Sequence, residues 1–225
     1  DGETALALPG AQDHKRAGEG DTGPNTGGMG AYSPAPVLGP EMAGRAMAEI
    51  VRPVIAQMAR RGTPYRGVLY AGLMIGADGP RLVEINARFG DPEAQVLMLR
   101  LASDILPVMR AAAAGDLGGL TLDWHPDAAI TVVMAARGYP GSYSKGTEIR
   151  GLAEAGAVEG ARVFHAGTRS ETGRILADGG RVLNVSATGA DLAEARARVY
   201  RAVDRIDWPD GTCRRDIGWR ALGRC

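Results

Sequence analysis

Glu84 and Asn86 carry side-chain oxygens two residues apart in the segment LVEINARFGDPE, residues 82–93. The segment predicts a β-strand at its start, and alternate side chains of a strand share one face, so Leu82, Glu84 and Asn86 should lie together. Two ligands at this spacing are roughly 7 Å apart along the strand. A carboxylate and an amide oxygen, completed by substrate phosphates, are typical ligands of Mg²⁺. The pair therefore predicts a divalent-cation site, and the alternative is a strand edge with two solvated polar side chains.

Three further residues of the same segment extend this prediction. Arg88 should lie on the ligand side of the strand if the strand continues that far. Asp91 and Pro92 predict the N-cap and the first residue of a helix. The segment is therefore expected to run from a strand directly into a helix.

A glycine-rich stretch, QDHKRAGEGDTGPNTGGMGAYSP, covers residues 12–34 and contains six glycines and very few apolar residues. Glycine lets the backbone approach a ligand closely and offer its N–H groups to anionic oxygens. Side chains of both charges, including Asp13, His14, Lys15 and Arg16, accompany it. The alternative is a flexible surface loop of low complexity, which the varied and charged composition fits poorly.

Composition limits the classes of function. The chain has 225 residues, enough for one large domain or two small ones, and its 26 basic and 26 acidic side chains balance. This balance argues against a nucleic-acid-binding surface, which needs a clustered basic excess. No apolar run reaches transmembrane length. The first residues, DGETALALPG, lack a basic n-region, so we expect no signal peptide. Two cysteines, Cys213 and Cys225, form no disulfide framework, so we expect a reducing, cytoplasmic compartment.

The first part of the chain predicts a helix, a hairpin and a second helical region. Apolar residues at helical spacing predict a helix over residues 40–61, kinked at Pro53. Residues 67–75, GVLYAGLMI, predict a buried strand that turns back through residues 76–80 into the strand carrying Glu84. Residues 92–114 should be helical with an interruption. The hairpin would thus present the candidate cation ligands on its second strand.

After residue 115 the pattern changes to short strands. Residues 128–136, AAITVVMAA, predict a strand, and shorter strands are expected near residues 148–149, 162–165, 174–177 and 181–188. Residues 191–206 predict an amphipathic helix with Asp191 as N-cap and Glu194 at the capping-box position. From about residue 123 onward we therefore expect a small α+β domain of antiparallel strands.

Seven segments, in chain order, carry a resemblance to a known family: QDHKRAGEGDTGPNTGGMGAYSP, VLYAGLMI, LVEINARFGDPE, VVMAARGYPG, VFHAGT, GGRVLNVSATG and CRRDIGWRAL. They resemble the C-terminal half of the phosphoribosylamine–glycine ligases, members of the ATP-grasp superfamily. The resemblance implies an α+β fold, in which the second half of an ATP-grasp module, an antiparallel sheet with helices, precedes a small C-terminal α+β domain. The implied boundaries are residues 1–116 and 123–225.

The resemblance also implies a reaction in de novo purine (IMP) biosynthesis. Glycine would be joined to 5-phosphoribosylamine through a glycyl phosphate, with ATP cleaved to ADP and phosphate. Glu84 and Asn86 would be ligands of a Mg²⁺ or Mn²⁺ ion that bridges the ATP phosphates. Arg88, as the catalytic residue, would face the acyl phosphate or the glycine carboxylate. The preceding strand, VLYAGLMI, has no carboxylate, so a second metal would need a ligand from elsewhere.

The remaining implied site residues bind substrate. Asp13, Lys15 and Arg16 would contact phosphoribosylamine, and the GGMG turn would offer N–H groups to glycine or to the forming oxyanion. The implied substrate-binding set is Asp13, Lys15, Arg16, Gly27, Gly28, Met29, Gly30 and Asp91. The expected partners are these small molecules, without nucleic acid or membrane, and we expect a monomer for the full-length protein.

Several interpretations stay open at this point. Family members carry the ATP-phosphate lysines and the adenine contacts in an upstream half, so we expect the chain alone to be inactive. A non-catalytic truncated module, which binds a phosphate ligand or a partner, and another ATP-grasp carboxylate–amine ligase are the alternatives. His125 and His165 are interpreted as structural, His14 is left open between structure and catalysis, and Arg214 and Arg215 are interpreted as solvated or locally paired with Asp216.

Overall fold

The computed structural model describes residues 1–223, and every pairing between its strands is antiparallel. Cys225 lies outside the described residues. The strands are β1 Gln12–Asp13, β2 Arg16–Gly18, β3 Thr22–Asn25, β4 Gly30–Ser33, β5 Tyr70–Gly76, β6 Gly79–Asn86, β7 Ala128–Ala136, β8 Glu148–Ile149, β9 Ala161–His165, β10 Thr168–Glu171, β11 Arg174–Ala177, β12 Arg181–Gly189 and β13 Gly211–Thr212.

The α-helices lie between β4 and β5, between β6 and β7, between β8 and β9, between β12 and β13, and after β13. They are α1 Pro40–Ala46, α2 Arg52–Arg60, α3 Glu93–Arg100, α4 Leu106–Ala114, α5 Leu152–Gly156, α6 Leu192–Val203 and α7 Trp219–Leu222. A π-helical turn, Met47–Val51, joins α1 to α2. It ends two residues before Pro53, which has no N–H to donate to the preceding turn, so the predicted kink takes the form of a π-bulge. Within residues 1–223, no helix has the length and apolarity needed to cross a membrane.

The chain divides into two compact units that alternate along the sequence. Unit 1 contains residues 1–10, 35–90 and 101–125, and unit 2 contains residues 11–34, 91–100 and those from 126 onward. The predicted boundaries at residues 116 and 123 do not separate these units. Two early segments belong to the sheet region of unit 2, which local sequence patterns do not reveal. Segment 11–34 supplies the strands β1 and β4, and segment 91–100 packs against the sheet through α3.

Unit 1 contains the β5–β6 hairpin, whose strands are more exposed than predicted. GVLYAGLMI was expected to form a buried strand, but β5 begins only at Tyr70 and Met74 is 63% exposed. A two-stranded hairpin leaves much of both faces accessible, which explains this difference. The predicted helix of residues 92–114 is interrupted as expected, since α3 ends at Arg100 and α4 begins at Leu106.

Unit 2 is built on a six-stranded sheet with the order β1–β4–β7–β12–β9, and β13 pairs with β7. One face of β7 presents Ile130 and Val132 to α6, which contributes Val199. The opposite face presents Ala129 to Val96 of α3. The fully buried β7, which matches the predicted strand, therefore separates two layers of helix.

The predicted N-cap of α6 is present. The Asp191 carboxylate accepts a hydrogen bond from the Glu194 N–H at 2.8 Å, which satisfies a donor that the first helical turn leaves free. The Glu194 carboxylate accepts a bond from the Ala190 N–H at 2.7 Å, one residue before the N-cap, whereas a capping box uses the N–H of the N-cap itself. The helix itself, Leu192–Val203, is slightly shorter than predicted at both ends.

Candidate active site

Glu84 and Asn86 lie near the end of β6 and share a face of the hairpin in unit 1. Glu84 pairs with Gly72 and Asn86 with Tyr70, two positions of β5 that themselves share a face. The register shifts between Gly72 and Leu73, so one extra residue of β6 is accommodated there as a β-bulge.

The bulge corrects one part of the predicted alternation. Leu82 pairs with Leu73, the immediate neighbour of Gly72, and so lies on the opposite face from Glu84. The expectation that Leu82 shares the ligand face is wrong. Val83 is the extra residue of the bulge, and it reverses the alternation of faces between Leu82 and Glu84. The shared face of Glu84 and Asn86 is confirmed.

The carboxylate of Glu84 is positioned in a way that fits a cation ligand. Glu84 is exposed, and within its own unit no ion pair engages it among the described residues. Gly72 leaves space for it: a Cβ at Gly72 would lie 2.9 Å from Cγ of Glu84. Among residues 1–223, no group of three or more His, Cys, Asp or Glu side chains is arranged to hold a metal. A cation bound at Glu84 and Asn86 would need ligands beyond this pair, and phosphate oxygens are typical ones.

Arg88 follows the strand but is not part of it. β6 ends at Asn86, so the alternation that would carry Arg88 to the ligand face stops two residues earlier. Its guanidinium is exposed and Nη1 donates a hydrogen bond to the Phe89 carbonyl at 2.8 Å. The catalytic role of Arg88 stays a prediction.

The charged residues of the glycine-rich stretch have partners within unit 2. Lys15 forms an ion pair with Asp13 at 2.8 Å. Arg16 lies in β2, which pairs with β3, and its Nη1 donates to the Gly23 carbonyl at 2.8 Å. The stretch is therefore an ordered hairpin followed by β4, and not a flexible low-complexity loop.

The GGMG turn, residues 27–30, uses most of its N–H groups inside the chain. The Gly27 N–H donates to the Tyr139 hydroxyl at 3.1 Å and the Gly28 N–H to Oγ1 of Thr26 at 3.0 Å. The Met29 N–H donates to the His14 carbonyl at 2.8 Å. A ligand that took N–H bonds from these three residues would have to replace these bonds. Substrate binding by the turn stays a prediction.

Glycine is required in this turn by close packing. A Cβ at Gly28, whose φ is +118°, would lie 2.5 Å from Cδ of Pro92. A Cβ at Gly30 would lie 2.6 Å from the Thr131 carbonyl oxygen. Heavy atoms cannot approach a Cβ this closely, so the neighbouring backbone, and not only a ligand, explains the glycines.

Asp91 contacts the same turn through an arginine that the sequence did not single out. Nη2 of Arg181 donates to the Asp91 carboxylate at 3.0 Å, and Nη1 donates to the carbonyls of Asp91 and Gly27 at 2.7 and 3.0 Å. The Asp91 carboxylate also accepts a bond from Gln95 at 3.1 Å. The helix begins at Glu93, so Pro92 is not its first residue as expected. Arg181 lies within the segment GGRVLNVSATG, but local sequence does not show what its side chain reaches.

A buried network joins the glycine-rich stretch to the C-terminal segment. Arg214 donates two bonds to the Asp216 carboxylate, at 2.8 and 2.7 Å, and one to Asp21 at 2.9 Å. Asp21 has a φ of +59° and also accepts bonds from Arg220 at 2.9 and 3.0 Å. The local pairing of Arg214 with Asp216 is confirmed, but a solvated Arg214 is wrong, because its side chain is only 1% exposed.

Electrostatics in this network favour neutral His14 and ionised carboxylates. Burial lowers the pKa of His14 to about 4, and the positive charge of Arg214 contributes to the lowering. Nε2 of His14 accepts a bond from the Gly218 N–H at 3.1 Å, which requires the unprotonated nitrogen. Although burial alone would raise it, bonds from Arg214 and Arg220 hold the pKa of Asp21 below its usual range. His14 is therefore fully buried in a structural position.

The other two histidines are exposed in the structure. Nδ1 of His165 lies 2.9 Å from Oγ1 of Thr168, and His125 lies in the loop before β7. The interpretation of both histidines as structural stays a prediction.

Two models of one protein family match this chain. Residues 1–94 match the family model "Phosphoribosylglycinamide synthetase, ATP-grasp (A) domain", and residues 129–220 match "Phosphoribosylglycinamide synthetase, C domain". A phosphoribosylamine–glycine ligase of Vigna unguiculata is 56% identical over 215 residues, which cover 94% of this chain and 69% of that protein. The chain belongs to the phosphoribosylamine–glycine ligase family.

Other members of the ligase family agree with this assignment. The ligase of Mesorhizobium japonicum is 59% identical over 100% of this chain and 52% of its own length. The chloroplastic ligase of Arabidopsis thaliana is 58% identical over 99% of this chain and 42% of its own length. The chain spans about half the length of most of the curated relatives it matches.

Solved structures of two proteins resemble the fold of this chain. The ligase of Thermotoga maritima superimposes with a TM-score of 0.84 at 33% identity, over 96% of this chain and 52% of that chain. The biotin carboxylase domain of Hydrogenobacter thermophilus 2-oxoglutarate carboxylase gives a TM-score of 0.59 at 16% identity, over 83% of this chain and 40% of that chain. The second likeness concerns the fold alone.

Proposed function

We propose that the chain is part of an ATP-dependent ligase that joins glycine to 5-phosphoribosylamine, with ADP, phosphate and glycinamide ribonucleotide as products. The names of its relatives support this reaction. The structural observation that best supports it is that Glu84 and Asn86 share one face of β6, where Gly72 leaves room opposite the carboxylate. One carboxylate and one amide oxygen suit a cation that also binds phosphate.

Each residue of unit 1 has a specific part in this proposal. Glu84 and Asn86 would hold Mg²⁺ or Mn²⁺, and the bound cation would neutralise phosphate charge during phosphoryl transfer. Arg88, whose guanidinium is exposed, would orient the glycine carboxylate or the acyl phosphate with its planar pair of donors. The Hydrogenobacter structure, a neighbour in fold, contains the magnesium salt of ADP, which is a precedent for a divalent cation beside nucleotide phosphates on this fold.

The residues of unit 2 would bind substrate. Asp13, Lys15 and Arg16 would contact phosphoribosylamine, and the GGMG turn with Asp91 would contact glycine. This assignment rests on the family resemblance, and binding through the N–H groups of Gly27, Gly28 or Met29 would replace their present bonds within the chain. A monomeric, cytoplasmic enzyme without nucleic-acid or membrane partners remains our expectation, although the name of the Arabidopsis relative specifies the chloroplast.

ADP formation tests the proposal. The assay uses a protein that contains this chain and has the full length of its relatives. Each of glycine, 5-phosphoribosylamine and divalent cation is omitted in turn. We expect ADP release only when all three accompany ATP. Release that requires a different carboxylate would indicate another ATP-grasp carboxylate–amine ligase. Absence of release with every carboxylate tested would favour the non-catalytic alternative.

A further inference from the structure

Arg181 connects two segments of unit 2 that contain proposed substrate-binding residues. It is the first residue of β12, paired with Ala135 of β7, and its side chain is 21% exposed. Its backbone is thus fixed by the central sheet, while its guanidinium extends to the GGMG turn and to Asp91.

The contacts of the guanidinium converge on carbonyl groups. Nη1 lies 3.0 Å from the Gly27 carbonyl, 3.3 Å from that of Gly28 and 2.7 Å from that of Asp91. Nη2 donates to the Asp91 carboxylate at 3.0 Å. Three carbonyl oxygens and a carboxylate that approach one another repel electrostatically, so a cation between them stabilises the arrangement.

Packing against the guanidinium is close as well. A Cβ at Gly27 would lie 2.9 Å from Cζ and 3.0 Å from Nη2 of Arg181. Gly27 therefore lies directly against the guanidinium, and its own N–H is held by the Tyr139 hydroxyl. Any side chain at this position would displace the arginine or the turn.

We propose that Arg181 is a positioning residue, which holds the GGMG turn and Asp91 in the arrangement that binds the amino-acid substrate. The proposal rests on the proposed function, in which these residues contact glycine. Arg181 itself uses its donors on the protein, so it acts through the turn and does not contact substrate. Its loss should weaken glycine binding more than ATP binding.

Arg181→Lys tests the planar fork, since an ammonium keeps the charge but lacks the two separate nitrogens with which Arg181 contacts the carbonyls and the Asp91 carboxylate. In the protein at the length of its relatives, we expect KM for glycine to rise about tenfold or more, within the roughly 10²-fold that a 1 Å misplacement can cost. KM for ATP and the thermal midpoint should stay near those of the parent. Hydrogen exchange at Gly28 and Met29 should become faster, because the turn opens more often.

Two further variants complete the experiment. Gly27→Ala should also raise KM for glycine and speed hydrogen exchange in the turn, because the added methyl group would push the Arg181 guanidinium away from the turn. Arg150→Lys is the matched control, because Arg150 pairs with Asp207 on an exposed surface of unit 2, at 2.9 Å, and should change none of these quantities.

The outcomes separate the two proposals. Unchanged exchange and unchanged KM for glycine in Arg181→Lys would overturn the positioning role. A parallel rise in both KM values with a lower thermal midpoint would also overturn it, since that pattern indicates general destabilisation. Exchange that is faster in Arg181→Lys than in the parent, when ADP release by the parent does not depend on glycine, would support the role of Arg181 in holding the turn and overturn the proposed substrate.

Discussion

The carboxylate of Glu84 is the negatively charged member of the proposed cation site, and Asn86 supplies a neutral oxygen. Two protein ligands leave little redundancy, because the remaining ligands would come from substrate. Loss of either side chain should therefore affect turnover and cation affinity together.

We expect Glu84→Ala and Asn86→Ala to lower turnover by on the order of 10²-fold or more, by analogy with other single electrostatic contacts to a transition state. Steady-state kinetics at saturating Mg²⁺ measures this loss in the protein at the length of its relatives. Mn²⁺ binding, followed by electron paramagnetic resonance, should weaken in parallel. Near-normal turnover in both variants would show that the pair is structural.

Arg88 allows a second prediction at the scale of one residue. Arg88→Lys should fold normally and lose most of its turnover, because an ammonium lacks the planar pair of donors. The bond to the Phe89 carbonyl needs only one donor, which lysine can also supply. An unchanged thermal midpoint together with at least roughly half of the parent's turnover, a loss within the range of an exposed polar contact, would contradict the catalytic role.

At the scale of the element, the β5–β6 hairpin positions Glu84 through the glycine opposite it. Gly72 and Gly76 lie on the same face of β5, but a Cβ at Gly76 would meet nothing within 4 Å. The two glycines therefore form a matched pair, one in contact with Glu84 and one in open space.

We expect Gly72→Ala to displace the Glu84 side chain and to raise the Mg²⁺ concentration needed for half-maximal turnover. Gly76→Ala should leave that concentration unchanged, since an added methyl group there has no neighbour. A Mg²⁺ titration of both variants provides the comparison, with Mn²⁺ binding as a readout independent of turnover. Equal behaviour of the two variants would show that Gly72 is not needed for the position of Glu84.

At the scale of the whole molecule, His14 joins residues that are far apart in sequence. Its imidazole accepts a bond from Gly218 and faces Asp21, Arg214 and Arg220, which connect the glycine-rich stretch to the C-terminal segment. The pKa of His14 is about 4 in the folded chain, below its ordinary value of 6.5. The unfolded chain therefore binds a proton more readily, and the free energy of unfolding should fall as pH decreases from 6.5 towards 4.

This pH dependence gives a fourth prediction. Between pH 7 and pH 5 the His14 contribution should lower the free energy of unfolding by about 2 kcal/mol. His14→Gln removes the titrating group but keeps an oxygen that can accept a hydrogen bond from the Gly218 N–H. The free energy of unfolding of this variant should therefore fall less between pH 7 and pH 5 than that of the parent. Urea unfolding at both pH values measures the difference. The pKa of Asp21 is lowered in the folded chain, so this carboxyl should lower the free energy of unfolding only when the pH falls below about 4, the ordinary pKa of an aspartate. Identical pH dependence in parent and variant would contradict the buried, neutral state of His14.

Much of the fold could be predicted because its signals are local. Nine consecutive apolar or small residues predicted β7, and the N-cap residue Asp191 predicted the start of α6. The bulge at Gly72 could not be predicted, because strand register depends on the paired strand. The face of Leu82 was wrong for that reason, whereas Glu84 and Asn86 lie on the same side of the bulge and keep their relation.

The sequence by itself determined the family, the β5–β6 hairpin and the placement of Glu84 and Asn86 on one face of β6, because these depend on residues close together in the chain. Only the tertiary structure revealed Arg181 beneath the GGMG turn and Arg214 beside Asp21, contacts that span 154 and 193 residues. It also showed that glycines 28 and 30 are required by neighbouring backbone and proline atoms. Long-range contacts depend on how elements pack, and packing depends on shapes and distances that local patterns do not encode.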